Sequence, residues 1–264
     1  MSCHNWGFCD LCVSNKIDLE KIESIEKLGY NTIALNTYVE EPLGGEPKPK
    51  KKKGETREKK DYIPDPVDIP KEIAQSCKLN ILQRVTIEFS ESGIAHKLNQ
   101  SENLKKYDII AVVPKTLSAF QYACGSMDID MISLETNCRI PFKVNRKLYR
   151  QAIERGIFFE LTYSPAIRDS TARKNIITTA HNYYAVGKSK NIVITSGAES
   201  YMHLRGVHDV ISIGFLFGLN SNESMESIRS NARTLILKAE GRRHGKHHMV
   251  IQTVDVNKDQ TFKD

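Results

Sequence analysis

Apolar side chains recur along this chain in two alternating rhythms. From Gly7 to Val13 every residue except Asp10 is apolar, the pattern of a short strand buried on both faces. Ile17, Leu19, Ile22, Ile25 and Leu28 follow at helical spacing and stop at Gly29, and Asn31 to Leu35 is short and β-prone. Strand, helix and strand in such quick succession predict a βαβ unit. The same alternation predicts strands at Ile81–Phe89, Ile109–Val113, Met131–Leu134, Ile157–Leu161 and Ile192–Thr195. Helices are predicted at Leu117–Cys124, Leu148–Ile153 and Thr171–Val186. The end of the chain departs from this rhythm. Val207, Val210, Ile211, Gly214 and Phe217 keep helical spacing, and a further helix opens at Ser221 and Ser224 and continues through Ile228, Ala232, Leu235 and Ile236. Seven strands without a clear eighth predict an α/β fold, a distorted, incomplete TIM-like (β/α) barrel with about seven strands. A doubly wound open sheet is the other architecture such a pattern allows, and periodicity alone separates the two poorly.

Between Glu40 and Pro70 the periodicity vanishes into prolines, glycines and the run Lys50 to Lys53, which predicts a disordered basic insertion at about 40–70. The expected organisation is one barrel domain over 1–250 carrying that insertion, with a short tail at 251–264. The insertion also holds most of the charge asymmetry. The net charge is +6, and Glu41 to Lys60 contributes eight basic and four acidic residues, leaving only +2 elsewhere. A basic excess of this kind favours an anionic partner. Lys48 to Lys53 reads either as a nuclear import signal or RNA-tethering arm, or as a solubilising loop. No apolar run approaches the ~18 residues needed to span a bilayer and Met1 to Asp10 has no secretory pattern, so a soluble intracellular chain is expected. Cys3, Cys9, Cys12, Cys77, Cys124 and Cys138 have no framework spacing, which predicts reduced thiols.

Candidate chemistry is thin. Cys9 and Cys12 sit three apart in a predicted strand, so they should face opposite ways and not share a metal. Asp10 and Cys12 should share a face. His96, His181, His203 and His208 form neither His-x-His nor His-Glu-x-x-His. Glu160 and Glu199, near predicted strand ends, suit a metal site or arginine partners equally. Ser164 lacks a Gly-x-Ser-x-Gly elbow, and neither a Walker loop nor a dinucleotide fingerprint occurs.

The most informative stretch runs from Glu160 to Lys174. Pro165 ends a strand, Asp169 or Ser170 can cap the next helix, and Arg168, Arg173 and Lys174 gather where backbone N–H groups already favour anions. That arrangement is either a phosphate-backbone contact or an ordinary capped helix with a solvated basic first turn. Charge sign favours the contact, because a first helical turn normally carries Asp and Glu. A second basic cluster, Arg242, Arg243, His244, Lys246, His247 and His248, reads as a backbone clamp or a frayed tail.

Two dense stretches resemble one family. One holds Phe159-Glu160-Leu161, Tyr163 to Ile167 and Asp169-Ser170-Thr171. The other holds Thr195 to Glu199, Leu204-Arg205-Gly206, Asp209-Val210 and Gly218-Leu219. Weaker echoes are Leu28-Gly29-Tyr30, Tyr107-Asp108, Val113-Pro114-Lys115, Asp128-Ile129-Asp130 and Pro141-Phe142. In order and spacing the chain resembles the thirty-kilodalton protein subunit family of ribonuclease P and ribonuclease MRP, related to an archaeal ribonuclease P protein. The resemblance implies a polymerase-and-histidinol-phosphatase-like barrel that has lost its metal ligands, with Asp10-x-Cys12 where such phosphoesterases carry His-x-His.

It further implies a noncatalytic, nuclear and nucleolar subunit that scaffolds a catalytic RNA. That RNA removes the 5′ leader of precursor tRNA, and the MRP RNA serves rRNA processing. Small ferredoxin-like protein subunits would be partners, precursor tRNA would be met only indirectly, and no cofactor, catalytic residue or metal ligand is expected. Arg168, Arg173, Lys174, Arg205, Arg242, Arg243 and Lys246 are the candidate RNA contacts, the first four on one barrel face and the last three in the tail. The rival expectation is a metal-dependent phosphoesterase using Asp10, Glu160, Glu199 and a histidine.

Overall fold

The computed structural model describes residues 7–16, 22–41, 61–70, 77–91, 93, 98, 101–135 and 139–245. Seven strands form one sheet in sequence order: β1 (Cys9–Ser14), β2 (Thr32–Val39), β3 (Asn80–Phe89), β4 (Ile109–Pro114), β5 (Met131–Ile132), β6 (Phe158–Thr162) and β7 (Ile192–Thr195). Each pairs in parallel with the next. No eighth strand is present among the described residues. The chain just beyond β7 closes the ring instead: Val13 bridges Ala198 in parallel, with Ser14 N donating to Ala198 O at 2.8 Å and Gly197 N donating to Cys12 O at 2.8 Å. The fold is therefore a seven-stranded, nearly closed TIM-like barrel rather than an open sheet.

The helices are α1 (Ile22–Lys27), α2 (Leu117–Gly125), α3 (Arg146–Glu154), α4 (Ser164–Arg168), α5 (Ser170–Gly187), α6 (Val207–Leu216), α7 (Ser221–Ile228) and α8 (Ser230–His244). Ile17 and Leu19 of the first expected helix lie outside the described residues. The single helix expected from Ser221 to Ile236 breaks at Arg229, whose φ of −126° and ψ of −82° leave the helical region. Beyond the break α8 packs Ala232, Leu235, Ile236 and Ala239, one face of a helix, into an apolar cluster. That cluster takes Cys9, Ala34, Ile109, Met131, Phe158 and Val193 from the starts of their strands, so α8 plugs the N-terminal end of the barrel. Each fully buried Leu or Ile in such a plug is worth about 1.5–3 kcal/mol of transfer free energy. A second, larger core lies between the strands and the other helices.

Part of the stretch expected to be a disordered insertion is ordered. Residues 42–60, with Lys48 and the lysine run, lie outside the described residues, as does 251–264. Residues 61–70 have no regular secondary structure but are packed. Ile63 is buried, Tyr107 Oη donates to Pro64 O at 3.1 Å, and Gln83 Nε2 donates to Val67 O at 2.9 Å. Asp61 accepts from Ser101 Oγ at 2.9 Å and from Asn103 N at 3.0 Å. Side-chain and loop hydrogen bonds hold this segment, and neither leaves a periodic signal. Among the described residues no helix is long and apolar enough to cross a membrane.

Candidate functional site

The C-terminal ends of the strands open into a polar cavity of about 880 Å³, placed where TIM-like barrels carry their chemistry. An ion pair occupies its floor. Arg84 of β3 and Glu160 of β6 are each 1% exposed and meet in a fork, Nη1 to Oε1 at 2.5 Å and Nη2 to Oε2 at 2.6 Å. Arg84 also donates from Nε to Thr86 Oγ1 at 3.1 Å and from Nη1 to Leu11 O at 2.8 Å, and Thr195 Oγ1 donates to Glu160 Oε1 at 2.7 Å. Burial alone would raise the Glu160 carboxyl, but Arg84, Thr195 and Ser133 outweigh it and hold it below its ordinary value. Lys115 at the rim bridges Glu88 and Glu135. Both carboxylates singled out in the sequence have found arginines, since Arg168 Nη1 meets Glu199 Oε2 at 3.1 Å. Arg84 itself escaped sequence reasoning; its one signal is a charge inside an apolar strand.

Asp10 and Cys12 do not act as one face. A register shift in β1 between Asp10 and Val13 puts Cys12 in the cavity wall and leaves Asp10 out of it. The same shift lets Cys9, in the inner apolar cluster, and Cys12 both point into the barrel at different depths. Burial pushes both thiols up to about 12, the state of inert buried cysteines. Asp10 Oδ1 accepts from Cys12 N at 3.2 Å and Ser196 N at 3.0 Å.

These donors do not fit a catalytic metal. Glu160 is saturated by Arg84 and Thr195, Glu199 is paired, and Asp10 is turned to backbone. Among the described residues no three His, Cys, Asp or Glu side chains gather closely enough to hold an ion. His181, His203 and His208 do not line the cavity, and His96 lies outside the described residues.

Burial raises the Asp10 carboxyl to about 6, against the pull of its Ser196 and Cys12 hydrogen bonds. A folded-state value above the unfolded one means the native state binds the extra proton, so Asp10 costs stability as pH rises from about 4 through about 6. Asp10→Asn keeps an acceptor for both N–H groups. It should raise stability at pH 7.5 and lose that gain by about pH 4; urea unfolding at both pH values measures it.

The candidate cations are split between the two ends of the barrel. Arg168, Arg173 and Lys174 lie on the α4–α5 connection after β6. Asp169 caps α5 there by accepting from Ala172 N at 2.6 Å. Arg173 spends only Nε, on Ala166 O at 2.7 Å, and it and Lys174 are exposed. Arg205 turns Nη1 back onto Met202 O and Leu204 O at 3.0 and 2.7 Å.

Arg242 and Arg243 are not in a tail but in the last turn of α8, at the opposite end. Arg242 donates from Nε and Nη2 to Asp130, and from Nη2 to Asp108 O at 3.0 Å, while Arg243 pairs with Asp108. Both aspartates directly precede strand starts, and the turn of α8 beneath the barrel brings the arginines to them. Lys246, His247 and His248 lie outside the described residues.

Comparison with known proteins locates this geometry. The model of a protein family described as RNase P subunit p30 matches residues 7–244. The chain belongs to the p30 family. A mouse (Mus musculus) relative, ribonuclease P protein subunit p30, is 33% identical over 249 residues, covering 90% of this chain and 87% of the relative. The Saccharomyces cerevisiae ribonuclease P/MRP protein subunit RPP1 is 24% identical over 247 residues, covering 92% and 79%. A chain in a cryo-EM structure of archaeal ribonuclease P with mature tRNA superimposes with a TM-score of 0.65 at 16% identity, covering 96% of this chain and 99% of that one, and so shares the fold.

In this p30 chain the stretches that carry the resemblance meet at the seam where the barrel closes. Tyr163 N donates to Thr195 O at 3.0 Å, Ser164 N to Ser196 O at 2.9 Å, and Ser196 Oγ to Cys12 O at 2.9 Å. Gly197 has φ +59°, and a Cβ there would come within 3.2 Å of Thr162, so glycine suits the turn. Tyr30 Oη donates to Arg205 O and Tyr163 Oη accepts from Arg205 N, each at 3.0 Å, while Val207 N donates to Leu28 O at 3.1 Å. A p30 motif read as chemistry is thus largely a set of closing bonds that stand in for an eighth strand.

Proposed function

We propose that this chain is a noncatalytic, RNA-binding protein subunit of ribonuclease P, scaffolding the RNA that removes the 5′ leader of precursor tRNA, and that it also serves ribonuclease MRP in rRNA processing. The observation that carries this reading is the p30 match over residues 7–244. The Arg84–Glu160 pair supports it, because it commits to an arginine fork one of the carboxylates that the rival phosphoesterase reading needs as a metal ligand. Small ferredoxin-like subunits are the proposed protein partners, precursor tRNA is met indirectly, and the proposed location is the nucleus and nucleolus.

The RNA contacts we assign are Arg168, Arg173, Lys174 and Arg205 near the β6 and β7 ends, with Arg243 and Lys246 as a second group. Arg242 stands apart from them because its guanidinium is spent on Asp130 and Asp108. Contact through phosphates rather than bases fits a set of separate surface cations with no aromatic platform among them.

Titration of ribonuclease P RNA with the full chain at several salt concentrations tests this. Arg173→Ala/Lys174→Ala should weaken binding and reduce the slope of log K against log salt by about one to two. An unchanged slope would remove these residues from the interface. Failure of the tagged chain to recover ribonuclease P RNA from cells would remove the function itself.

A further inference from the structure

Helix α6 is apolar on too many sides. Val207, Val210 and Gly214 face inward and are buried, yet Ile211 and Ile213 remain half-exposed and Phe215 and Leu216 are exposed. A helix with apolar residues on its outer side needs a cover there as well. Beside it α5 packs on α3 and α4, and α6 packs on α7, but α5 and α6 leave a groove of about 220 Å³ between them. Its walls are Ile167, Ile177, Ile213, Leu216 and Phe217, and Arg173 stands at its edge. Leu216 is 63% exposed. The lining contains no carboxylate, and Lys174 is exposed in the same turn as Arg173.

We infer that this groove is the docking site of a protein partner, through a segment that inserts a large apolar side chain flanked by Asp or Glu. The apolar walls define the anchor and the basic edge defines its flanks. The shape disfavours RNA. Aliphatic side chains make most of the wall, the rings of Tyr163 and Phe217 are buried, and the lining itself presents no face for a base to stack on, the exposed ring of Phe215 lying outside it. The inference rests on the proposed assembly into a particle, which supplies the partners; Arg173 and Lys174 border both the groove and the proposed RNA contact, whereas Ile213 and Leu216 belong to the groove alone, so the test is placed on the apolar wall.

The test replaces Leu216 with a photo-crosslinking benzophenone residue in the tagged full chain, irradiates intact cells and identifies the adduct by mass spectrometry. The expected result is one protein, crosslinked through a peptide in which an apolar residue lies between carboxylates. Leu216→Glu should then reduce co-purification of that same protein about tenfold or more, with an unchanged thermal midpoint. Adducts to RNA, to a second copy of this chain, or to a peptide without flanking acids would overturn the inference. So would absence of any adduct, or undiminished co-purification by the glutamate variant. Recovery of ribonuclease P RNA with the same tagged chain is scored separately, so loss of the particle reading and loss of the groove are distinct outcomes.

Discussion

Replacing Glu160 with leucine should lower the unfolding free energy by about 3–5 kcal/mol, because Arg84 would keep its charge in a site closed to water. Among the described residues Glu160 is the one carboxylate that hydrogen-bonds Arg84; its other bonds, to Leu11 O and Thr86 Oγ1, are to neutral acceptors. Arg84→Leu/Glu160→Leu should recover most of that loss, since removing both charges also removes both desolvation penalties. Recovery should stop short of wild type, as Leu11 O and Thr195 Oγ1 lose their bonds to the pair. Urea unfolding of the two single variants and the double variant, read as a cycle, measures the coupling. Singles that cost no more than the double would show that the pair carries little coupling. The pH dependence has a definite sign. The folded Glu160 carboxyl lies below its ordinary value, so its contribution is present at neutral pH and fades as pH falls through the acid range; Glu160→Leu should remove that part of the acid sensitivity.

Arg242→Met should be strongly destabilising, by roughly 3 kcal/mol, while leaving RNA contact intact. Arg242 is 10% exposed and pairs with Asp130, which is fully buried and holds the start of β4 by accepting from Ile110 N at 2.9 Å. Methionine retains the packing stem and deletes the charge. Burial already raises the Asp130 carboxyl, against the pull of Arg242 and Ile110. Without Arg242 it should rise further, so the variant should regain stability as pH falls from neutral, where protonation relieves the stranded carboxylate. Thermal melts at pH 7.5 and pH 5 give this comparison, and RNA titration well below the melting point gives the other. A reduced salt slope with an unchanged melting temperature would place Arg242 on the RNA instead of under the barrel.

The basic clusters show how charge and position separate. Arg173 and Arg242 are equivalent in the sequence, each an arginine beside a second cation at a helix end. One is exposed and keeps most of its guanidinium free; the other is locked to Asp130, more than a hundred positions earlier. Glu160 shows the converse. Its place at a strand end and its two alternative roles were legible, but the choice between them depended on Arg84, which lies three strands away in the sheet and is brought within 2.5 Å only because the sheet curls into a barrel. The side-chain segment at 61–70 and the shift in β1 were not legible, because loop hydrogen bonds and a bulge follow no period.

Local pattern by itself determined the seven strands, the order in which helices separate them and a cap at Asp169 or Ser170, since burial on both faces of a parallel strand imposes a composition that neighbours in sequence can display. Tertiary structure alone decided that Ala198 closes the ring, that α8 turns at Arg229 to plug it, that Glu160 meets Arg84 on the cavity floor, and that α6 keeps an uncovered face. Each of those outcomes depends on contacts between residues distant in the chain, and such contacts are set by which surfaces must be covered once the barrel closes.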